Sequence, residues 1–130
     1  MVVNEDSMKH GAFGWTELMT NNVEAAKQFY TSLFGWEIEE GPMEGSDYTV
    51  IKVDGSPVGG IMPMPPECTG MPECWNVYVT VQDVDAAAAR VEELGGTLIR
   101  PPQDIPEVGR FCVLQDPNGA VICAITYVQK

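Results

Sequence analysis

The strongest constraint on how this chain can fold is that it carries one pattern twice. Residues 15 to 26, which close on Asn22, Val23, Glu24, Ala25 and Ala26, are echoed by residues 76 to 87, which close on Asp83, Val84, Asp85, Ala86 and Ala87. The offset is 61 residues (83 − 22), and it persists, because Leu33 falls on Leu94, Gly35 on Gly96 and Ile38 on Ile99. After one inserted residue, Asp54 falls on Asp116, an offset of 62 (116 − 54). Two copies of one supersecondary unit must bury their apolar faces together, and that places a shared cleft, the natural location for a site, between them.

Each copy reads as βαβββ. A strand from about Ala12 to Thr20 alternates, with Phe13, Trp15, Glu17 and Met19 on one face and Thr16 and Leu18 on the other. A helix follows, capped by Asn22, with Val23, Ala26, Phe29, Tyr30 and Leu33 as its apolar stripe and Gly35 at its exit. Strands are predicted at 36–40, 48–53 and 58–62, and the four prolines of residues 63–74 mark a linker. The second copy predicts a strand at 75–81, a helix from Val84 to Leu94 capped by Asp83, and strands at 97–100, 109–115 and 120–127. Pro101 and Pro102 read as a loop, and Asp116 to Gly119 as a type I turn. The fold class expected is therefore α+β: one domain over residues 1–130, in which tandem βαβββ modules at 11–62 and 75–127 form a curved mixed sheet around a central cleft.

Composition narrows the function. With 130 residues and 45% hydrophobic side chains the chain can bury a core without disulfides. Nineteen acidic against seven basic residues give a formal charge of −12, which repels nucleic acid. No long apolar run marks a membrane span, and the acidic start from Met1 to Lys9 is unlike a signal peptide, so a cytoplasmic protein is expected. Cys68, Cys74, Cys112 and Cys123 lack paired CxxC spacing. In simple hairpin register Cys112 would face Cys123, a pair that a reducing compartment would keep as thiols. His10 is the single histidine, so no two-histidine metal site can be assembled within the chain.

The strand at 75–81 separates its faces: Val77, Val79 and Val81 must meet the helix, leaving Asn76, Tyr78 and Thr80 opposite. In the first copy the corresponding face carries Glu17 among large apolar neighbours. Enclosure there would disfavour its charged form and raise its pKa toward a range useful for proton transfer. Solvation at a cavity mouth, or a hydrogen bond to Asn76 or Tyr78, would make it structural instead. Tyr78 can orient a ligand, act as an acid, or cover core with its hydroxyl in solvent.

The paired βαβββ pattern, the Phe29 to Gly35 helix exit, the Val81 to Ala87 run and the Asp116 to Gly119 turn together resemble the vicinal oxygen chelate superfamily, the group of glyoxalase I, bleomycin-resistance proteins and extradiol dioxygenases. The resemblance covers about residues 11 to 127. For metal-using members it implies His or Glu ligands at positions that fall here on Trp15, Ile61 (or Gly59), Asn76 and Cys123. None is His or Glu, and only Asn76 and Cys123 can ligate, so no metal and no cofactor is expected. What the resemblance then implies is a homodimer that holds a small organic molecule in a metal-free cavity lined by Phe13, Trp15, Glu17, Asn76, Tyr78 and Cys123. The alternative is a metal-independent enzyme of lyase or isomerase type, with Glu17 as general base and Tyr78 as acid. A redox-responsive module using Cys112 and Cys123 is a third reading.

Overall fold

A computed structural model describes residues 8–40, 48–64, 70, 72–105 and 108–128; residues 1–7, Cys68 and half of the proline-rich linker lie outside the described residues. The first copy of the pattern forms β1 (Phe13–Thr20), α1 (Val23–Phe34), β2 (Glu37–Glu40), β3 (Thr49–Val53) and β4 (Ser56–Pro63). The second forms β5 (Cys74–Thr80), α2 (Val84–Arg90), β6 (Thr97–Ile105), β7 (Gly109–Gln115) and β8 (Val121–Tyr127). Eight strands and two helices in this order make the expected α+β fold of tandem βαβββ modules. The described residues fall into two compact units, one of 15–76 and one of 8–14 with 77–128.

In the first unit the strand order is β2-β3-β4-β1, with β1 and β4 parallel and the other pairs antiparallel. The Asn22 side chain caps α1 by accepting the Ala25 N–H at 3.0 Å. Gly35, at φ 72°, ends it in the left-handed conformation that a side chain would resist. Leu18, Ile51 and Ile61 form the core, covered by Val23, Ala26 and Tyr30 of the helix and by Trp36 and Trp75. Phe29 and Leu33, expected in the helix's buried stripe, are instead 59% and 58% exposed. The packed positions 23, 26 and 30 lie within about 60° of one another around the helix, and 33 and 29 lie about 20° and 60° beyond 26, at the edge of that stripe.

In the second unit the order is β5-β8-β7-β6, with β5 and β8 parallel. Asp83 caps α2 through the Ala86 N–H at 3.1 Å, and Val84 and Ala88 pack on Cys112 and Ala124. The helix stops at Arg90 rather than at Leu94, which is 62% exposed and lies in a turn closed by Leu94 N–H to Arg90 O at 3.2 Å. Pro101 and Pro102 do not break β6. They lie where its pairing with β7 shifts register, in a strand at the end of its unit's order, the setting in which a missing N–H costs least.

The β7–β8 hairpin corrects the expected cysteine register. Cys112 pairs with Ala124, and Val113 with Cys123. The turn is one residue longer than a simple closure, because the Asp116 carboxylate accepts the N–H groups of both Asn118 and Ala120, and Asp116 N–H bonds to Ala120 O at 2.8 Å. A one-residue shift sends alternate side chains to opposite faces. Cys112 thus joins the core beneath α2, while Cys123 lies on the other face of the strands.

Candidate functional site

Strand parity builds the site in the first unit. Leu18 and Ile61 are register partners in the core under α1, so their neighbours Glu17 and Gly60, also partners, face away from the helix. Gly60 in turn partners Val50 of β3, and Tyr48, two residues earlier, shares that face. Gly60 has no side chain, and the end of the Tyr48 ring occupies the place where a Cβ would stand. The ring therefore crosses β4 and reaches β1. Its hydroxyl accepts the Trp15 indole N–H at 2.7 Å and donates to Glu17 Oε2 at 2.8 Å.

Trp15 and Glu17 are both buried, at 5% and 9% exposure. A carboxylate removed from water is costly unless hydrogen-bonded, and an O–H donor to an ionised oxygen is among the stronger partners available. The indole N–H fixes the phenol, and the phenol fixes the carboxylate. An ionised carboxylate only accepts, so a molecule that engages Glu17 must offer a hydroxyl, an amine or an acidic C–H.

The other expected site residues are placed as follows. Phe13, at the first position of β1, is 72% exposed. Asn76 is half-buried, with the Cys74 thiol 3.9 Å from its Oδ1. Tyr78 and Cys123 belong to the second unit, where they are register partners across β5 and β8, both buried. Tyr78 also packs its ring on Phe111, with centroids 6.1 Å apart. The structure therefore brings Trp15 to Glu17 in one unit and Tyr78 to Cys123 in the other. Tyr48 and Gly60 were missed; the available signal was a glycine pair in the interior of a strand, which marks close approach of another group.

Three of the positions where the resemblance implies metal ligands, Trp15, Ile61 and Gly59, offer nothing to hold a divalent ion. The Trp15 indole offers only a donor, already given to Tyr48. Ile61 is fully buried in the core under α1. Gly59 shares that helix-facing side, where its backbone packs on the Thr16 carbonyl. The residue that β4 turns toward Glu17 is Gly60, which has nothing to ligate with. Among the described residues no three His, Cys, Asp or Glu side chains group as a metal site requires.

Comparison with known proteins gives a consistent picture. The sequence profile described as Glyoxalase/Bleomycin resistance protein/Dioxygenase superfamily matches residues 12–124. The glyoxylase-named CFP32 of Mycobacterium tuberculosis is 41% identical over 117 residues, covering 88% of this chain and 45% of that protein. The anthracycline biosynthesis protein DnrV of Streptomyces peucetius is 37% identical, covering 85% of this chain and 45% of that protein. The chain thus spans about half the length of the curated relatives it matches. A protein of Bacillus halodurans C-125 superposes with a TM-score of 0.68 at 11% identity, over 94% of this chain and 98% of that one. Streptomyces coelicolor methylmalonyl-CoA epimerase superposes with a TM-score of 0.64 at 16% identity, over 93% and 100%. At such identities these two likenesses show the fold. No helix among the described residues is long and apolar enough to cross a membrane.

Proposed function

Because the chain belongs to the glyoxalase/bleomycin resistance protein/dioxygenase superfamily, we propose that it binds a small organic molecule without a metal, against the face of the first unit that carries Trp15, Glu17 and Tyr48. The observation that supports this reading most is the buried Glu17 carboxylate, held by the Tyr48 hydroxyl on the sheet face away from α1. Trp15 supplies flat apolar surface and Glu17 a fixed acceptor, so the ligand is an aromatic or amphipathic compound bearing a hydrogen-bond donor. Phe13, Asn76, Tyr78 and Cys123 remain candidates for ligand contact in their own units. A cytoplasmic setting belongs to this reading and accords with Cys112 and Cys123 standing as thiols rather than in a disulfide.

Assembly as a homodimer also belongs to it. The outer side of α1 exposes Phe29, Leu33 and Phe34, each by more than half, and a second copy would cover them. The curated relatives, about twice as long, have room for a further unit of this size.

The same geometry favours an enzymatic second reading, in which Glu17 takes a proton from a bound substrate while Tyr48 holds it in position. The relatives' names span a glyoxylase and an anthracycline biosynthesis protein, so carbonyl or hydroxyl compounds are the substrates to test first. Screening hydroxylated aromatic compounds by thermal shift, together with metal analysis of the purified protein, tests the binding reading. A ligand that raises the Tm of the metal-free protein supports it. A tightly held transition metal at one per chain contradicts it.

A further inference from the structure

A cavity of about 460 Å³ lies wholly within the first unit, on the side of β1 that α1 covers and so opposite to Glu17. It opens between the start of α1 and the chain entering β5, and Phe29, Tyr30 and Trp75 supply its aromatic wall. Tyr30 is the centre of that wall. The Phe29 and Trp75 rings both stand edge-on to it, with centroids 5.0 and 5.4 Å away, and the Trp75 indole N–H donates to its hydroxyl at 3.3 Å. Cys74, half-buried, belongs to the same wall.

One carboxylate stands among these rings. The hydroxyl of Thr20, a residue only 4% exposed, accepts the Asn22 N–H at 3.1 Å and donates to Glu73 Oε1, which holds the carboxylate at the cavity wall with its other acceptor positions still to use. The two basic residues within 15–76 are committed elsewhere: Lys27 pairs with Glu24 and Glu40, and Lys52 with Glu39. From residue 53 to residue 89 the sequence has no Lys, Arg or His, so the linker that precedes Glu73 brings no cation to it either. A helix start by itself would draw an anion, but here the Ala25 N–H is used by Asn22 and Glu73 would repel one.

We propose that this cavity binds an organic ammonium ion, its N–H groups donating to the Glu73 carboxylate and its apolar remainder lying against Phe29, Tyr30 and Trp75. The faces of aromatic rings attract a cation as well as covering apolar surface, so one wall serves both halves of such a ligand. The formal charge of −12 adds attraction at long range. Glu17 lies on the other face of β1 and takes no part, so this inference stands or falls separately from the proposed function.

Trp75 and Cys74 give two independent reporters. The full chain is titrated at neutral pH and constant ionic strength with phenethylammonium, with its neutral analogue phenethyl alcohol and with its acidic analogue hydrocinnamate. The Trp75 indole N–H signal, identified by its loss in Trp75→Phe, is followed by NMR, and alkylation of Cys74 by iodoacetamide is followed by peptide mapping. Phenethylammonium is expected to give a saturable shift and to protect Cys74, with the alcohol and the acid each binding more weakly by about tenfold or more, the equivalent of ~1.4 kcal/mol. Glu73→Gln, a change at an exposed residue that keeps an acceptor for Thr20, should weaken phenethylammonium by about tenfold, while Glu17→Gln leaves it unchanged. The absence of a saturable shift, an unprotected Cys74, equal binding of the alcohol or the acid, or undiminished binding in Glu73→Gln would overturn the proposal. Binding lost in Glu17→Gln but kept in Glu73→Gln would move the ligand to the other face of β1 and overturn it equally.

Discussion

The Tyr48 hydroxyl stands between Trp15 and Glu17, accepting from the indole at 2.7 Å and donating to the carboxylate at 2.8 Å. Tyr48→Phe keeps the ring that fills the space over Gly60 but leaves a buried N–H and a buried carboxylate each short of a partner. It is expected to lower stability by about 2 kcal/mol, read from urea unfolding of the two proteins. An unchanged midpoint would mean that the phenol is dispensable to Glu17.

The hairpin register makes a definite statement about thiol chemistry. Burial pushes the Cys112 thiol up, with the backbone hydrogen bond to Ala124 partly opposing it, and Cys112 and Cys123 project from opposite faces. Mild oxidant should therefore form no Cys112–Cys123 disulfide, and in the native protein a thiol reagent should modify the half-buried Cys74 well before either. Peptide mapping by mass spectrometry decides this, and a mapped Cys112–Cys123 linkage would restore the redox reading.

Alkaline stability should depend on Tyr127. Burial pushes its phenol from an ordinary 10.0 up to about 12, so ionisation is harder in the folded chain than in the unfolded one. The resulting stabilisation is fully present below pH 10 and is lost as the pH rises through about 12. Two pH units (12 − 10) correspond to roughly 3 kcal/mol. Comparing urea midpoints of the wild type and Tyr127→Phe across that window should show the wild type falling more steeply; parallel curves would contradict the burial argument.

The exposed side of α1 tests the dimer. Phe29 and Leu33 are each more than half exposed, Phe29 resting edge-on against Tyr30 with ring centroids 5.0 Å apart, so replacing both by Glu should leave the fold in place while the mass measured by light scattering falls from two chains to one. A wild type that is already monomeric would remove the dimer from this account.

How far the sequence is legible depends on the range over which each feature is determined. The helix starts are local, because Asn22 and Asp83 cap through N–H groups three residues on, and both were readable. The faces of β1 and β5 follow from alternation, which correctly separated Glu17 from Leu18 and Tyr78 from Val79. The partner of Glu17 was not readable, since Tyr48 lies 31 residues away and meets it only when β3, β4 and β1 stand side by side. Gly59 and Gly60 signalled a close approach within β4, but which of them faces the site depends on the register with β1, and no local rule fixes that. The cysteine pair failed for a related reason: a side-chain hydrogen bond at Asp116 lengthened the turn by one residue and moved Cys112 and Cys123 to opposite faces.

The account turns on Glu17 as the fixed acceptor of a metal-free ligand site. The most direct measurement is the affinity of the best hydroxylated aromatic compound from the thermal-shift screen, determined by calorimetry with chelator-treated wild type and with Glu17→Gln. Glu17→Gln keeps the size of the side chain but removes the charge, and is expected to weaken binding by about tenfold to a hundredfold, the loss of one charge-assisted hydrogen bond, while Tyr127→Phe binds as the wild type does. Equal affinity in Glu17→Gln and wild type would show that the ligand does not use this carboxylate, and would contradict the site proposed for it.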